Sequence, residues 1–173
     1  FWKVGEVLKG FYKAQLDAVG DFIEWVEVGD DLGSQSGPLI SPAMYRSLLK
    51  PVHAELIRSI KSHPSRVRVM YHSCGAIRRF IPDIIDIGAD ILHPLQVAAR
   101  DIVPAEIKAE FGDQLSFLGG VDAQHTLPEG TPEQVAAEVK QRIEELGPGG
   151  GYILAPSHNM GDDVPLENIL AFM

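Results

Sequence analysis

Tyr71-His72-Ser73-Cys74-Gly75 sets an imidazole and a thiol two positions apart, and Cys74 is the only cysteine in the chain. Both side chains are zinc donor types, and three such donors with an open fourth position make a catalytic rather than a structural site. A lone His-x-Cys carries less information than paired Cys-x-x-Cys motifs. Its alternative reading is a small buried cysteine beside a hydrogen-bonded core histidine. Other side chains able to position a polar substrate or move protons are Asp30 and Asp31 in "GDDLG", His93 and Gln96 in "ILHPLQ", Asp122 and His125 in "GGVDAQH", and His158 and Asn159 in "APSHN". Each has a plainer role available. Asp30-Asp31 suits an Asx turn, His93 a strand end before Pro94, and His125 an exposed loop. His53 and His63 read as surface or packing residues. His158 lies in a loop of low apolar content, where a ligand or substrate contact and a turn role are equally well motivated.

The elements that must position these residues follow from periodicity. Short β-like runs alternate with amphipathic stretches, the pattern of a parallel sheet with crossover helices. Strands are predicted over Asp21–Val28, Val67–His72, Asp90–Pro94, Leu115–Gly120 and Gly151–Pro156. Ser41-Pro42 is an N-cap with a first-turn proline. Met44, Leu48, Val52, Leu56 and Ile60 then recur every four residues as one helix face, with Pro51 expected to kink or divide it. Further helices carry the stripes Ile77-Phe80-Ile81-Ile84-Ile85, Val103-Ile107-Phe111 and Val135-Val139-Ile143-Leu146, the last opened by a Thr131…Gln134 capping box. A final helix begins near Pro165. Every candidate in the strand-end loops therefore follows a predicted strand, where α/β folds build their sites.

Two architectures suit five such units: a doubly wound open sheet, or five β/α units of a (β/α)8 barrel. No Gly-x-Gly-x-x-Gly follows any strand, which weakens a dinucleotide-binding sheet. A barrel requires eight strands, so roughly three β/α units are expected before Phe1. The chain opens on Phe1 in helical pattern, which fits a portion of a longer protein, and no linker divides residues 1–173.

Composition narrows the partners. With 15 basic and 24 acidic residues the net charge is −9, which argues against nucleic acid or an anionic membrane surface. No apolar run reaches the length of a membrane span. A single cysteine forms no internal disulfide and fits a reducing, cytoplasmic setting.

The order "GDDLG", "YHSCG", "ILHPLQ", "FLGGVDAQHTLPEGTPEQV" and "GGYILAPSHNMGDDVPLENILAF" resembles the uroporphyrinogen decarboxylase superfamily, including its cobalamin-dependent methyltransferases. The resemblance implies a (β/α)8 barrel of which this chain is the C-terminal part. In the methyltransferase branch it implies a zinc site that holds a thiol for attack on a methyl group carried by a corrinoid. His72 and Cys74 match the first two ligands, and His158 stands where a cysteine is expected as the third. In the decarboxylase branch of porphyrin and haem biosynthesis no metal is used, and His158 matches a substrate-contacting histidine. The expected set is thus His72, Cys74 and His158 for zinc, His158, Asp30 and Asp31 for catalysis, and His93, Gln96, Asp122 and Asn159 for substrate. A small-molecule substrate, a corrinoid protein and a second copy of the chain are the candidate partners. The favoured expectation is a zinc methyltransferase. The alternatives are a cofactor-independent decarboxylase and a non-catalytic corrinoid- or tetrapyrrole-binding or assembly module.

Overall fold

The computed structural model describes residues 1–173. Helix α1 (Trp2–Val19) leads through a 3-10 turn at Gly20–Phe22 into strand β1 (Trp25–Gly29). A short hairpin, β2 (Gly33–Ser34) and β3 (Gly37–Pro38), precedes α2 (Pro42–Met44) and α3 (Lys50–Lys61). Then follow β4 (Arg68–His72), α4 (Ile81–Asp86), β5 (Ile91–Leu95), α5 (Pro104–Phe111), β6 (Ser116–Val121), α6 (Thr126–Glu129), α7 (Pro132–Leu146), β7 (Tyr152–Pro156) and α8 (Leu166–Phe172).

The main sheet is parallel throughout, in the order β1-β4-β5-β6-β7. Each crossover adds its strand on the same side as the last, with no reversal. A doubly wound sheet must reverse at a switch point, whereas a barrel advances steadily around its axis. The strand order therefore favours the barrel progression. No helix is long and apolar enough to cross a membrane.

Alternation along the strands separates two faces. Val26, Val28, Val69, Tyr71, Leu92 and Phe117 join the apolar core under the helices, with Ile57, Ile60, Phe80, Ile84 and Ile107. Glu27, His72 and His93 belong to the opposite face, which carries the polar chemistry. A smaller cluster of Val121, Leu127, Val135 and Val164 closes the far end.

Three local expectations change. The first strand starts at Trp25 rather than Asp21, because Gly20–Phe22 reverse the chain out of α1 before the ladder begins with the Arg68 amide on the Glu24 carbonyl, at 2.9 Å. The helix after Ser41 is divided, as Pro51 led one to expect, but its buried stripe ahead of the division changes. Ser41 caps it as expected, accepting the Met44 amide at 3.1 Å. Tyr45–Leu49 then form a π turn closed by the Lys50 amide on the Tyr45 carbonyl. Pro51 lacks an N–H to continue the regular ladder, and the wider turn absorbs that loss. The extra residue shifts the buried stripe by one position. Met44 and Leu48 are 50% and 46% exposed, while Tyr45 is fully buried and Leu49 packs against the core. Further along, Val52, Leu56 and Ile60 are buried as expected, and so is His53. Val103 and Ile143 are exposed rather than core-facing. The Thr131–Gln134 capping box forms in full.

Candidate metal centre

His72 is the last residue of β4, directly opposite Gly29 of β1 and His93 of β5. That register puts two imidazoles side by side on the polar face. Their Nδ1 atoms are 2.9 Å apart, and the rings pack at 4.9 Å between centroids. With Nδ1 engaged by His93, the Nε2 of His72 is the nitrogen turned to Cys74, whose Sγ lies 3.5 Å away. An outer partner on one ring nitrogen fixes which nitrogen faces a metal. Glu27, two residues before the end of β1, adds a carboxylate 3.5 Å from His72 Nδ1.

Asp31 supplies the third donor at the thiol. Its Oδ1 accepts the Cys74 backbone amide at 2.9 Å and stands 3.6 Å from His72 Nε2. Asp31, His72 and Cys74 form one group whose ligand atoms all lie within 4.8 Å of one another; Glu27, His72 and His93 form another. His158 is in neither group. It sits on the exposed loop after β7, close enough for its charge to act on His93.

The turn carrying Cys74 is fixed from several sides. Gly75 adopts φ +85°, a conformation that glycine reaches without penalty. Its amide donates to Gln96 Oε1 at 2.7 Å, and Gln96 Nε2 donates to Gln35 Oε1 at 2.6 Å. Gln35 in turn reaches Gln124, so an amide chain ties the loops after β1, β4, β5 and β6 together. Ser73 is buried and accepts the Leu32 amide at 2.9 Å, pinning the Asp30-Asp31 loop to β4. Gln96 thus braces the Cys74 turn rather than standing free for a substrate.

Burial and the Asp31 carboxylate push the Cys74 thiol up to about 11. In this setting the sulfur is a protonated thiol that a cation would have to reverse. The His93 imidazole is pulled below its ordinary value, first by burial and then by the His72 charge, with Glu27 opposing.

The remaining candidates separate. Asp122 is buried, and its Oδ1 accepts the Gln124 amide at 2.8 Å, so its carboxylate serves its own turn. Asn159 is exposed beside His158, and His125 is exposed and ion-paired to Glu129 at 3.7 Å. Asp30 has its partner elsewhere. Its Oδ2 meets His53 Nε2 on α3 at 2.9 Å. His53 and Glu27 are the members that sequence reasoning missed. Glu27 was legible in principle, two residues before the strand terminus on the face shared with His72. His53 is buried beside Val52 on the core-facing side of α3, and its partner Asp30 lies 23 residues away in the chain.

Bond lengths allow a fit test. Zinc–sulfur and zinc–nitrogen bonds of ~2.3 and ~2.0 Å at a tetrahedral angle separate the two donors by roughly 3.5 Å. The observed His72 Nε2–Cys74 Sγ separation is 3.5 Å. The donor set of thiol, imidazole and carboxylate, with its geometry, fits zinc.

The family model for uroporphyrinogen decarboxylase (URO-D) matches residues 2–173. Among curated proteins, a methylated-thiol–coenzyme M methyltransferase of Methanosarcina mazei is 30% identical over 141 residues, which is 81% of this chain and 34% of that protein. A uroporphyrinogen decarboxylase of Pseudoalteromonas translucida is 30% identical over 69 residues, 40% of this chain and 19% of that protein. A solved methyltransferase from Methanosarcina mazei superposes with a TM-score of 0.75 at 24% identity, covering 97% of this chain and 45% of that one. The matched portion is less than half the length of each of these proteins, and the structural likeness establishes the barrel-type fold. With a strand order that advances as a barrel's does and a family match along nearly its whole length, the chain belongs to the uroporphyrinogen decarboxylase family.

Proposed function

We propose that the chain carries the metal-binding portion of a methyltransferase that moves a methyl group between a corrinoid and a thiol or related acceptor. The observation that carries this reading is the trio Asp31, His72 and Cys74 at the strand ends, with a donor spacing that suits a tetrahedral metal. The Methanosarcina mazei relative, named for methylated-thiol chemistry, supports it. Zinc held there would keep a coordinated thiol deprotonated at neutral pH, the form in which sulfur attacks a methyl group. His72 offers Nε2 to the metal while His93 orients its ring. Cys74 offers Sγ from a turn braced by Gln96. Asp31 offers a carboxylate from the facing loop, and His158, outside the trio, is assigned to the substrate side.

Elemental analysis of the intact protein tests this. About one zinc per chain is expected, lost in Cys74→Ala together with methyl transfer. A fully active, metal-free enzyme would overturn the reading. A second reading, decarboxylation of uroporphyrinogen without metal, is favoured by one observation: His158 stands apart from both donor groups and is free to contact substrate. Coproporphyrinogen formation from uroporphyrinogen by the metal-free protein would establish it.

A further inference from the structure

We infer that His53 is a positioning residue for the metal centre: from α3 it clamps Asp30, and thereby holds Asp31 against Cys74. This rests on the metal-site reading above. The two aspartates are adjacent but have different partners. Asp31 turns to the Cys74 amide, whereas Asp30 turns to His53 Nε2. Anything that fixes Asp30 therefore limits where the Asp31 carboxylate stands.

The carboxylate of Asp30 has no need of a partner, since its side chain is 59% exposed and water would satisfy it. His53 is 9% exposed and lies on the buried stripe of α3, where an aliphatic residue would pack equally well. A buried imidazole there is explained by what its two nitrogens do. Nδ1 is 3.0 Å from the Tyr71 hydroxyl and 3.4 Å from that of Tyr45. Both tyrosines are fully buried, and each offers a hydroxyl proton. With a tyrosine hydroxyl donating to Nδ1, Nε2 is the nitrogen that carries a proton toward Asp30. The rim carboxylate is thereby tied through His53 to Tyr71, one residue before His72. The loop is also held at its next residue, where the buried Leu32 donates its amide to Ser73, and it borders a cavity of about 320 Å³ lined by Val4, Leu8, Leu49 and Val52.

The test uses the intact protein and its His53→Leu, His53→Gln and Asp30→Ala variants. Asp30 is exposed, so Asp30→Ala remains folded even if His53→Leu does not. Two readouts are taken: zinc affinity by competition with a chromophoric chelator, and amide exchange at Leu32 and Cys74 in the metal-free protein. His53→Leu and Asp30→Ala are each expected to weaken zinc binding about 10–100-fold. Both should speed exchange at the two amides selectively, with β6 amides unchanged, and the double variant should add nothing further. His53→Gln, which keeps an N–H donor toward Asp30, restores most of the affinity. Lower thermal stability with unchanged zinc affinity and unchanged local exchange would reduce His53 to a core residue and overturn the inference. If the wild-type protein binds no zinc, the metal reading fails, and the exchange data alone decide whether the clamp exists.

Discussion

At the scale of single residues, the site is a matter of which atoms neighbouring strands turn toward each other. His72 can act as a ligand through Nε2 because His93 occupies its other nitrogen. The third donor is where residue identity matters most. The family resemblance points to His158, whereas the carboxylate beside the thiol is that of Asp31. Asp31→Ala is therefore expected to weaken zinc binding by at least about 100-fold, more than loss of an outer partner does. His158→Ala is expected to change it less than about tenfold. Chelator competition on the two variants decides, and the opposite order would make His158 the third ligand. His72 and Cys74 were legible because they are close in sequence. Asp31 was not legible as a ligand, since it reaches Cys74 across 43 residues.

At the scale of elements, the turn after β4 has little freedom. A Cβ on Gly75 would come within 2.5 Å of the Gly33 backbone carbon and 2.6 Å of the Ser34 oxygen, at a φ of +85°. Both obstacles are main chain, so no rotamer change relieves them. Gly75→Ala is expected to cost more than about 2 kcal/mol in denaturant unfolding and to displace the Cys74 turn. A wild-type midpoint would show that the turn and the hairpin are not wedged together. The helices show how far periodicity carries. The Ser41 and Thr131 caps were readable because capping uses residues three apart. Pro51 announced a break, but whether a proline kinks, ends or widens a helix depends on what packs around it. With the π turn, Tyr45 and Leu49 rather than Met44 and Leu48 face inward.

For the molecule as a whole, acidic surface surrounds a sheet whose helices are fastened by a few partly buried ion pairs. Asp83 on α4 is the most enclosed of these carboxylates, its side chain 6% exposed, with Arg46 at 2.9 Å and Lys50 at 2.9 Å. Burial alone would raise its pKa, but hydrogen bonds from Arg46 and Lys50 outweigh that and hold it below the usual carboxylate range. A group held low in the folded state stabilises fully above its unfolded value and loses that contribution as pH falls through the folded one. Stability is thus expected to decline below about pH 4. Asp83→Asn should lower stability at neutral pH by about 1–3 kcal/mol and flatten that acid limb. Urea midpoints measured from pH 3 to 7 check both, and an unchanged acid limb would exclude Asp83 as its source. The amino-acid sequence by itself determined the α/β alternation, the caps, and the placing of imidazole and thiol at the end of one strand. Those features depend on residues within a few positions of each other, through periods of 2 and 3.6. Only the tertiary structure decided that the strands advance in order, that Asp31 stands beside Cys74, and that His53 meets Asp30. Each of these joins residues far apart in the chain, and strand register and helix rotation, not local pattern, bring them within bonding distance.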